Sequence, residues 1–514
     1  MSSVAVPGAT PVPSGFDAQA LRDKIPYLRG TTGYRYYELL INALAARKPS
    51  DRPRLLVVTD IEQDYDDLMA IIFLSEMHRL GAVELAGFIA NHGQTLERAK
   101  FLRTIVHLLG LGHLEVAQGT LGVEDQSQKL WIDDSYYELK NTTFAEKEWN
   151  KRPFHSGRSL IERLAREVDQ DKEPLTVLLI SSLQDIAEYF DTHRGDAAFL
   201  QTHFKKFISQ GGYEVKDERP DGTCTLEPIM GMANNGWHPT AARYYTNCLT
   251  EYGLPSDAWS REAAKAARLD GSVFSKLDKY GPIGTHLSWL YRRQEFKFYW
   301  DPFNAPYIPR LNADWYLQTR LVLDPNSTQF AEFKKKPPSF SQVLPFTKVI
   351  AYDGCAAMGA VGDDVMRALG VMRDNVPEYN TRPHQHRVFG RGINDLGGID
   401  AAKLGEVFTI FFFGGLIATK TYAEKLIPSS TVRHRPAECR VTLDVFEKQV
   451  PYLRRSKELA NEERQGNRES GEKLQRLKSE CLDAPYVNIP KVPEVEDIPY
   501  ELLYQAALRG GHWN

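Results

Sequence analysis

The amino-acid sequence predicts an α/β fold, with a Rossmann-type, mostly parallel sheet, flanking helices and a helical insertion. Two observations carry this prediction. Short apolar runs rich in β-branched residues alternate along the chain with stretches of helical spacing, which is typical of βαβ units. In addition, an acidic loop directly follows the first of these runs, where open parallel sheets bind their ligands.

The individual elements follow from local patterns. Residues 52–60 (RPRLLVVTD) are predicted to be a buried strand, because a short apolar run there ends in acidic residues. Helical spacing over 67–80 ends at Gly81, a common helix terminator. Further strands are predicted at 83–90, 114–118, 174–180, 204–212 and 348–352, and further helices at 34–47, at 96–109 and from 185 onward.

The chain of 514 residues is long enough for one large α/β domain with insertions. We expect a disordered Ser/Pro-rich leader at 1–30 and an α/β domain at 31–430. An aromatic, charged stretch at about 250–345 interrupts the strand–helix alternation and predicts a helical insertion. Residues 431–514 are expected to form a C-terminal extension, first charged and helical, then Pro-rich.

Composition excludes several classes of function. The 63 basic and 67 acidic side chains leave a net charge of -4, which gives no footprint for nucleic acid or an anionic membrane. Five cysteines stand singly, which fits neither a disulfide framework nor a zinc site and suits a reducing compartment. The most apolar run, 407–418, is shorter than the ~20 residues of a membrane span. We therefore expect a soluble protein with a small-molecule ligand, able to form homo-oligomers.

Five carboxylates crowd the loop after the first strand: Asp60, Glu62, Asp64, Asp66 and Asp67. Such a group repels itself unless a cation or tight hydrogen bonds compensate. Because the loop offers only oxygen ligands, a hard cation such as Ca²⁺ or Mg²⁺ is the natural partner. A solvated turn that caps the next helix would account for one or two of these acids, but not for five behind a buried strand.

The loop Asp60-Ile-Glu-Gln-Asp-Tyr-Asp-Asp67 resembles the Asp-x-Asp-Pro-Gly-x-Asp-Asp fingerprint of the inosine-uridine-preferring nucleoside hydrolase family. The resemblance implies a nucleoside-hydrolase-like fold in a long, divergent member of the family, a kind that includes effectors that bacterial plant pathogens deliver into host cells. A cytoplasmic location, or delivery into a host cell, is the corresponding expectation. Further similar motifs follow in the family's order, at Asn91-His-Gly-Gln-Thr-Leu96, Ser181-Ser-Leu-Gln-Asp-Ile-Ala187, Asn234-Asn-Gly-Trp-His-Pro-Thr-Ala-Ala242 and Ala351-Tyr-Asp-Gly-Cys-Ala-Ala357.

The resemblance implies a Ca²⁺ ion held by Glu62, Asp67, Asp353 and the main-chain carbonyl of Gln184. It further implies cleavage of the N-glycosidic bond of a ribonucleoside or related riboside by a Ca²⁺-bound water, through an oxocarbenium-like transition state. Glu62 would accept the proton of that water, and Asp66 would be the second catalytic residue.

Four residues are implied to bind the substrate. Asp66 and Asn234 match positions that hydrogen-bond the ribose hydroxyls, and Asn91 and Tyr352 lie in the two matching loops that flank them. Tyr352 replaces a histidine that protonates the leaving base in some members, and a tyrosine is a poor general acid at neutral pH.

Other departures leave two alternatives open. Glu62 is one methylene longer than the family's Asp, so the chain could be a catalytically impaired protein that binds a nucleoside, a nucleotide or an ADP-ribose-like ligand. Arg382, Arg387 and Arg391 could bind a phosphate of such a ligand. The histidines of the same stretch otherwise predict a solvated polar loop. The weaker alternative is a haloacid-dehalogenase-type phosphatase with Asp60 as its nucleophile.

Overall fold

The computed structural model describes most of the chain from residue 17 to residue 432. Residues 1–16 and 433–514, and with them most of the expected leader and C-terminal extension, lie outside the described residues, as does Arg382. The described ranges are 17–62, 64–124, 144, 147–216, 225–274, 277–304, 311–373, 379–381, 384–392 and 394–432.

Strands and helices alternate over much of the described chain. The strands are β1 (Arg54–Thr59), β2 (Glu84–Ala90), β3 (Glu115–Gln118), β4 (Leu175–Ile180), β5 (Phe204–Gln210), β6 (Tyr213–Lys216), β7 (Thr225–Pro228), β8 (Ser256–Trp259), β9 (Leu269–Asp270), β10 (Lys348–Val349), β11 (Tyr379–Thr381) and β12 (His384–Phe389). The helices are α1 (Ala18–Asp23), α2 (Tyr34–Ala46), α3 (Tyr65–Leu80), α4 (Thr95–Leu108), α5 (Gly157–Arg166), α6 (Gln184–Thr192), α7 (Ala197–His203), α8 (Ala233–Gly236), α9 (Pro239–Glu251), α10 (Arg261–Ala266), α11 (Gly281–Asn304), α12 (Ala313–Thr319), α13 (Thr328–Lys335), α14 (Phe340–Val343), α15 (Tyr352–Gly359), α16 (Asp363–Ala368) and α17 (Ala401–Leu426).

One central sheet organises the domain. Its strand order is β11-β12-β8-β5-β4-β1-β2-β3, and every neighbouring pair is parallel except β11 with β12. β1 and β4 lie in its interior and are buried along their whole length, as expected of strands covered by helices on both faces. The mostly parallel sheet with flanking helices that the sequence predicts is therefore confirmed.

Three strands of the central sheet, β8, β11 and β12, are not among those that the sequence predicts. β8 lies inside the range expected to be a helical insertion, so the helical part of that range begins after Trp259. β12 occupies the stretch expected to be a solvated polar loop, and its His386 and Arg387 are buried. These polar side chains find partners on β8: His386 Nδ1 lies 2.7 Å from Ser256 Oγ, and Arg387 pairs with Asp257.

Two further boundaries differ from the sequence prediction. In the range 348–352, only Lys348–Val349 forms a strand, and it pairs with β9 outside the central sheet. The ordered domain also begins earlier than residue 31, since α1 has an Asp17 cap and Leu21 is buried in the core. Residues 17–30 are thus part of the domain and not of a disordered leader.

Helix α17 is long and apolar enough to cross a membrane by length and composition, with a mean hydropathy of 1.6 in its most apolar window. However, 67% of that window is buried inside the protein. The helix packs against α3 and α11, and its Phe408 ring lies 5.2 Å from the ring of Phe73 on α3. Most of the apolar surface of this helix is therefore buried in the core of the domain.

Candidate functional site

Four carboxylates meet at the carboxyl end of β1. One oxygen from each of Asp64, Asp66, Asp67 and Asp353 lies within 4.8 Å of the others. The first three come from the start of α3, whereas Asp353 comes from the first turn of α15, 287 residues beyond Asp66. The main-chain amide of Asp353 donates to Asp66 Oδ2 at 3.4 Å and so ties the two helix ends together. We call these four residues the acidic cluster.

The acidic cluster is electrostatically costly without a counter-ion. Asp66, Asp67 and Asp353 are buried, and Asp64 is partly exposed. Burial is the largest cause that raises the pKa of each of the four, followed by repulsion from neighbouring acids; the pKa of Asp66 rises to about 6. A bound cation would remove this cost, and a set of carboxylate oxygens is the donor type that hard divalent cations prefer.

Hydrogen bonds from Arg98 and Thr59 fix the loop that follows β1. Arg98 on α4 is fully buried and donates to the main-chain carbonyls of Asp60, Ile61 and His92. The hydroxyl of Thr59, the last residue of β1, donates to Asp67. The positive charge of Arg98 lowers the pKa of the buried Asp60, but burial outweighs this effect and raises that pKa to about 7.

Glu62 is not brought into the acidic cluster. Its Oε1 lies 2.8 Å from Nε2 of His286 on α11, and both side chains are fully buried. Glu62 has a positive φ of 74°, a conformation that few residues other than glycine adopt. Asp64, two residues later, joins the cluster, although the resemblance assigns it no metal-binding role. This exchange departs from the metal-ligand set expected from the sequence.

Two other expected site residues are engaged by the protein itself. Gln184 is the first residue of α6, so helical geometry directs its main-chain carbonyl along the helix, and its side-chain Oε1 accepts from Gly122 N at 2.8 Å. Asn91, just after β2, donates to the Ser182 carbonyl at 2.9 Å and to Asp185 Oδ2 at 2.8 Å. The metal-ligand role of the Gln184 carbonyl and the substrate-binding role of Asn91 stay predictions.

Asn234 and Tyr352 lie at the same edge of the sheet. Asn234 donates to Gln210 Oε1 at 2.8 Å, at the carboxyl end of β5. Tyr352 directly precedes Asp353 and is partly exposed. Burial is the main cause that raises the pKa of the Tyr352 phenol to about 12, so at neutral pH this hydroxyl keeps its proton and can donate a hydrogen bond.

The insertion contributes residues that the sequence analysis did not identify. Besides His286, helix α11 carries Gln294, whose Oε1 accepts from the Tyr65 amide at 3.1 Å, and Glu295, which accepts from the Tyr65 hydroxyl at 3.1 Å. Arg320 pairs with Glu295 and donates to the same hydroxyl. The insertion is therefore one wall of the site. No local sequence motif predicts these contacts, because they join segments more than two hundred residues apart in sequence.

No protein-family model matches the chain, and no curated protein matches it in sequence. Among solved structures, the type III effector protein XopQ, in complex with adenosine diphosphate ribose, matches with a TM-score of 0.60 at 18% identity, over 74% of this chain and 99% of that chain. The effector protein XOO4466 matches with a TM-score of 0.57 at 16% identity, over the same shares. A purine-preferring ribonucleoside hydrolase from Gardnerella vaginalis reaches a TM-score of 0.42 at 14% identity, over 71% and 99%.

At these identities the comparisons show the fold alone. The strand order of the central sheet and these matches agree on a nucleoside-hydrolase-like α/β fold, which confirms the fold class predicted from the sequence. A preference for inosine and uridine stays a prediction.

Proposed function

We propose that the chain binds a divalent cation, Ca²⁺ in the first instance, at the acidic cluster and cleaves the N-glycosidic bond of a small riboside. The observation that carries the proposal is the convergence of four carboxylates within 4.8 Å at the carboxyl edge of a parallel sheet. Their burial and mutual repulsion raise their pKa values. A bound cation would offset this electrostatic cost.

In this proposal each residue has a definite task. When bound, the cation supplies a positive charge that acidifies water and orients vicinal hydroxyls. Asp66 and Asn234 bind the ribose hydroxyls, and Asp64, the partly exposed member of the cluster, accepts the proton of the attacking water. Asp64 takes over this task from Glu62, since the Glu62 carboxylate is bonded to His286. Tyr352 donates a hydrogen bond on the side of the leaving base.

A binding protein without turnover is the second candidate, and three observations favour it. The raised pKa of Tyr352 makes this residue a poor general acid at neutral pH, and Glu62 is withdrawn from the cluster. The XopQ structure of the same fold holds adenosine diphosphate ribose. The protein would then bind a nucleotide-like riboside, in the cytoplasm of its own cell or of a host.

The phosphatase alternative has less support. Its nucleophile would be Asp60, whose carboxylate is outside the acidic cluster and whose pKa is raised to about 7, so that much of it is protonated at neutral pH. A protonated carboxyl is a poor nucleophile. That alternative also leaves the convergence of Asp66, Asp67 and Asp353 unexplained.

The test uses the full chain with purine and pyrimidine ribonucleosides and a nitrophenyl riboside, in Ca²⁺ or in EDTA. We expect ribose release that depends on Ca²⁺ and is lost in Asp67→Asn. The control Asp171→Asn makes the same chemical change at an exposed position remote from the site. Riboside binding that needs Ca²⁺ but gives no ribose would favour the binding protein. Absence of both binding and release would contradict both candidates.

A further inference from the structure

Building on the proposed riboside site, we propose that the ligand carries a phosphate group and that Arg268, assisted by Arg261, binds this phosphate beside Tyr352. The ligand class is thus a riboside phosphate, such as a nucleoside monophosphate or a nucleoside diphosphate ribose. Three observations support this proposal: the position of Arg268, the lack of an ion-pair partner for it among the described residues, and a second arginine at the same edge of the sheet.

Arg268 lies next to the segment that delivers Asp353. In the antiparallel β9–β10 pair, Leu269 is opposite Val349 and Asp270 is opposite Lys348. Extending this register by one residue places Arg268 opposite Ile350, two residues before Tyr352 and three before Asp353. Arg268 therefore lies near the start of α15, close enough to Tyr352 to interact with it electrostatically.

Arg268 is also a half-buried cation without an ion-pair partner among the described residues, although the carboxylate of Glu262 is near enough to attract it at longer range. Among the residues that the structure describes, no carboxylate lies within ion-pair distance of its guanidinium group, and its buried Nε has no hydrogen-bond partner. Burial lowers its pKa. Three more deeply buried arginines differ, since Arg47, Arg320 and Arg387 pair with Asp364, Glu295 and Asp257.

An unpaired, partly desolvated guanidinium is costly unless an anion joins it. The planar fork of arginine matches the oxygens of a phosphate, so this is the anion it would bind best. The arginine expected from the sequence to do so, Arg387, is not free for this task, because both Asp257 and Asp363 pair with it. The phosphate contact therefore moves from β12 to Arg268.

Arg261 supplies the second positive charge. It is the first residue of α10, which directly follows β8, and so it lies at the carboxyl edge of the sheet. Helix α10 packs against α15, the helix that begins at Tyr352. Arg261 is partly exposed and, within the described part of the chain, pairs only with its neighbour Glu262, at 3.2 Å. Arg261 and Arg268 thus both lie close enough to Tyr352 to act electrostatically on its phenol.

The experiment measures binding to the full chain in Ca²⁺ by calorimetry, with adenosine, adenosine 5′-monophosphate, ADP-ribose and inorganic phosphate as probes. Arg268→Gln is compared with Arg52→Gln. Arg52 is a matched control, since it is also half-buried with an unpartnered Nε among the described residues, but it precedes β1 at the opposite edge of the sheet. Melting curves verify that both variants fold.

We expect both phosphorylated ribosides to bind at least ~10-fold more tightly than adenosine, and Arg268→Gln to weaken them by ~10- to 100-fold while changing adenosine affinity little. Arg52→Gln should leave all affinities unchanged. Equal affinities for adenosine and its monophosphate would overturn the inference but leave the proposed function standing. An Arg268→Gln variant that weakens Ca²⁺ and adenosine as much as the phosphates would also overturn it, because Arg268 would then only balance the charge of the cluster. Failure of every riboside to bind would instead contradict the proposed function.

Discussion

Replacing Asp353 with asparagine tests two properties of the acidic cluster separately: the electrostatic cost of its mutual repulsion and its capacity to bind a cation. The substitution Asp353→Asn keeps the size of the side chain and the main-chain amide that donates to Asp66. It removes one of four acidic groups whose oxygens lie within 4.8 Å of one another. We therefore expect opposite effects in the two conditions: no loss of stability without metal, and loss of the stabilisation that metal provides.

The size of both effects can be estimated. Two full charges 4.8 Å apart repel by about 3 kcal/mol at an effective dielectric constant of 20. Because the raised pKa values let the metal-free cluster keep protons, Asp353 carries only part of a charge there. The summed gain of the variant in EDTA should therefore stay below the value for one fully charged pair, about 3 kcal/mol. In wild type, Ca²⁺ at about 100 times Kd should add about 2.7 kcal/mol, which is ~3 °C in Tm for a domain of this size.

The assay is thermal unfolding of wild type, Asp353→Asn and Asp171→Asn in EDTA and in Ca²⁺. Asp171 is exposed and has a φ of 65°, which asparagine adopts readily, so its variant should behave as wild type in both buffers. Asp353→Asn should melt no lower than wild type in EDTA and should lose the Ca²⁺ shift. A retained shift, or a marked loss of stability in EDTA, would refute the reasoning, since Asp353 would then be no ligand or would stabilise the fold by itself.

Three further predictions concern the same region. The Ca²⁺ shift in Tm should grow as pH rises from 5 to 7.5, because protons compete with the cation for Asp66, whose pKa is about 6. In EDTA the free energy of unfolding should fall as pH rises from ~3.9 to 6, because the folded state holds the Asp66 proton more tightly than the unfolded state does. A Ca²⁺ shift that does not change with pH would contradict this account. His286→Ala should lower the free energy of unfolding by about 2–4 kcal/mol in urea, because Glu62 loses its buried partner, and unchanged stability would show that the pair is unimportant. Tyr352→Phe should weaken riboside binding by up to ~10-fold equally from pH 6 to 9, since the phenol with its pKa near 12 stays protonated; a loss that varies with pH over this range would argue against that role.

The parts of the fold that the sequence predicts are those with a local physical signature. β1 and β4 are buried on both faces, so each is a continuous apolar run that stands out from its surroundings. β12 has no such signature, because two of its buried residues, His386 and Arg387, are polar and are satisfied by β8, 130 residues away in sequence. Pairing of this kind is a tertiary property that local hydrophobicity does not encode.

The same distinction applies to the acidic cluster. Asp66 and Asp67 follow a recognisable strand, and the resemblance of the Asp353 motif placed that residue beside them in advance. The exchange of Glu62 for Asp64 could not be predicted, since the conformation of Glu62 is fixed by His286, 224 residues later in the insertion. The unpaired state of Arg268 likewise emerges only when every neighbouring acid has been placed.

The most direct test of the cation site is an anomalous difference map from crystals of the full chain grown with Ca²⁺ or Mn²⁺. We predict one peak per chain, in contact with carboxylate oxygens of Asp64, Asp66, Asp67 and Asp353. A map with no peak among these four side chains at saturating cation, or with the ion bound by Glu62 in place of Asp64, would contradict the account.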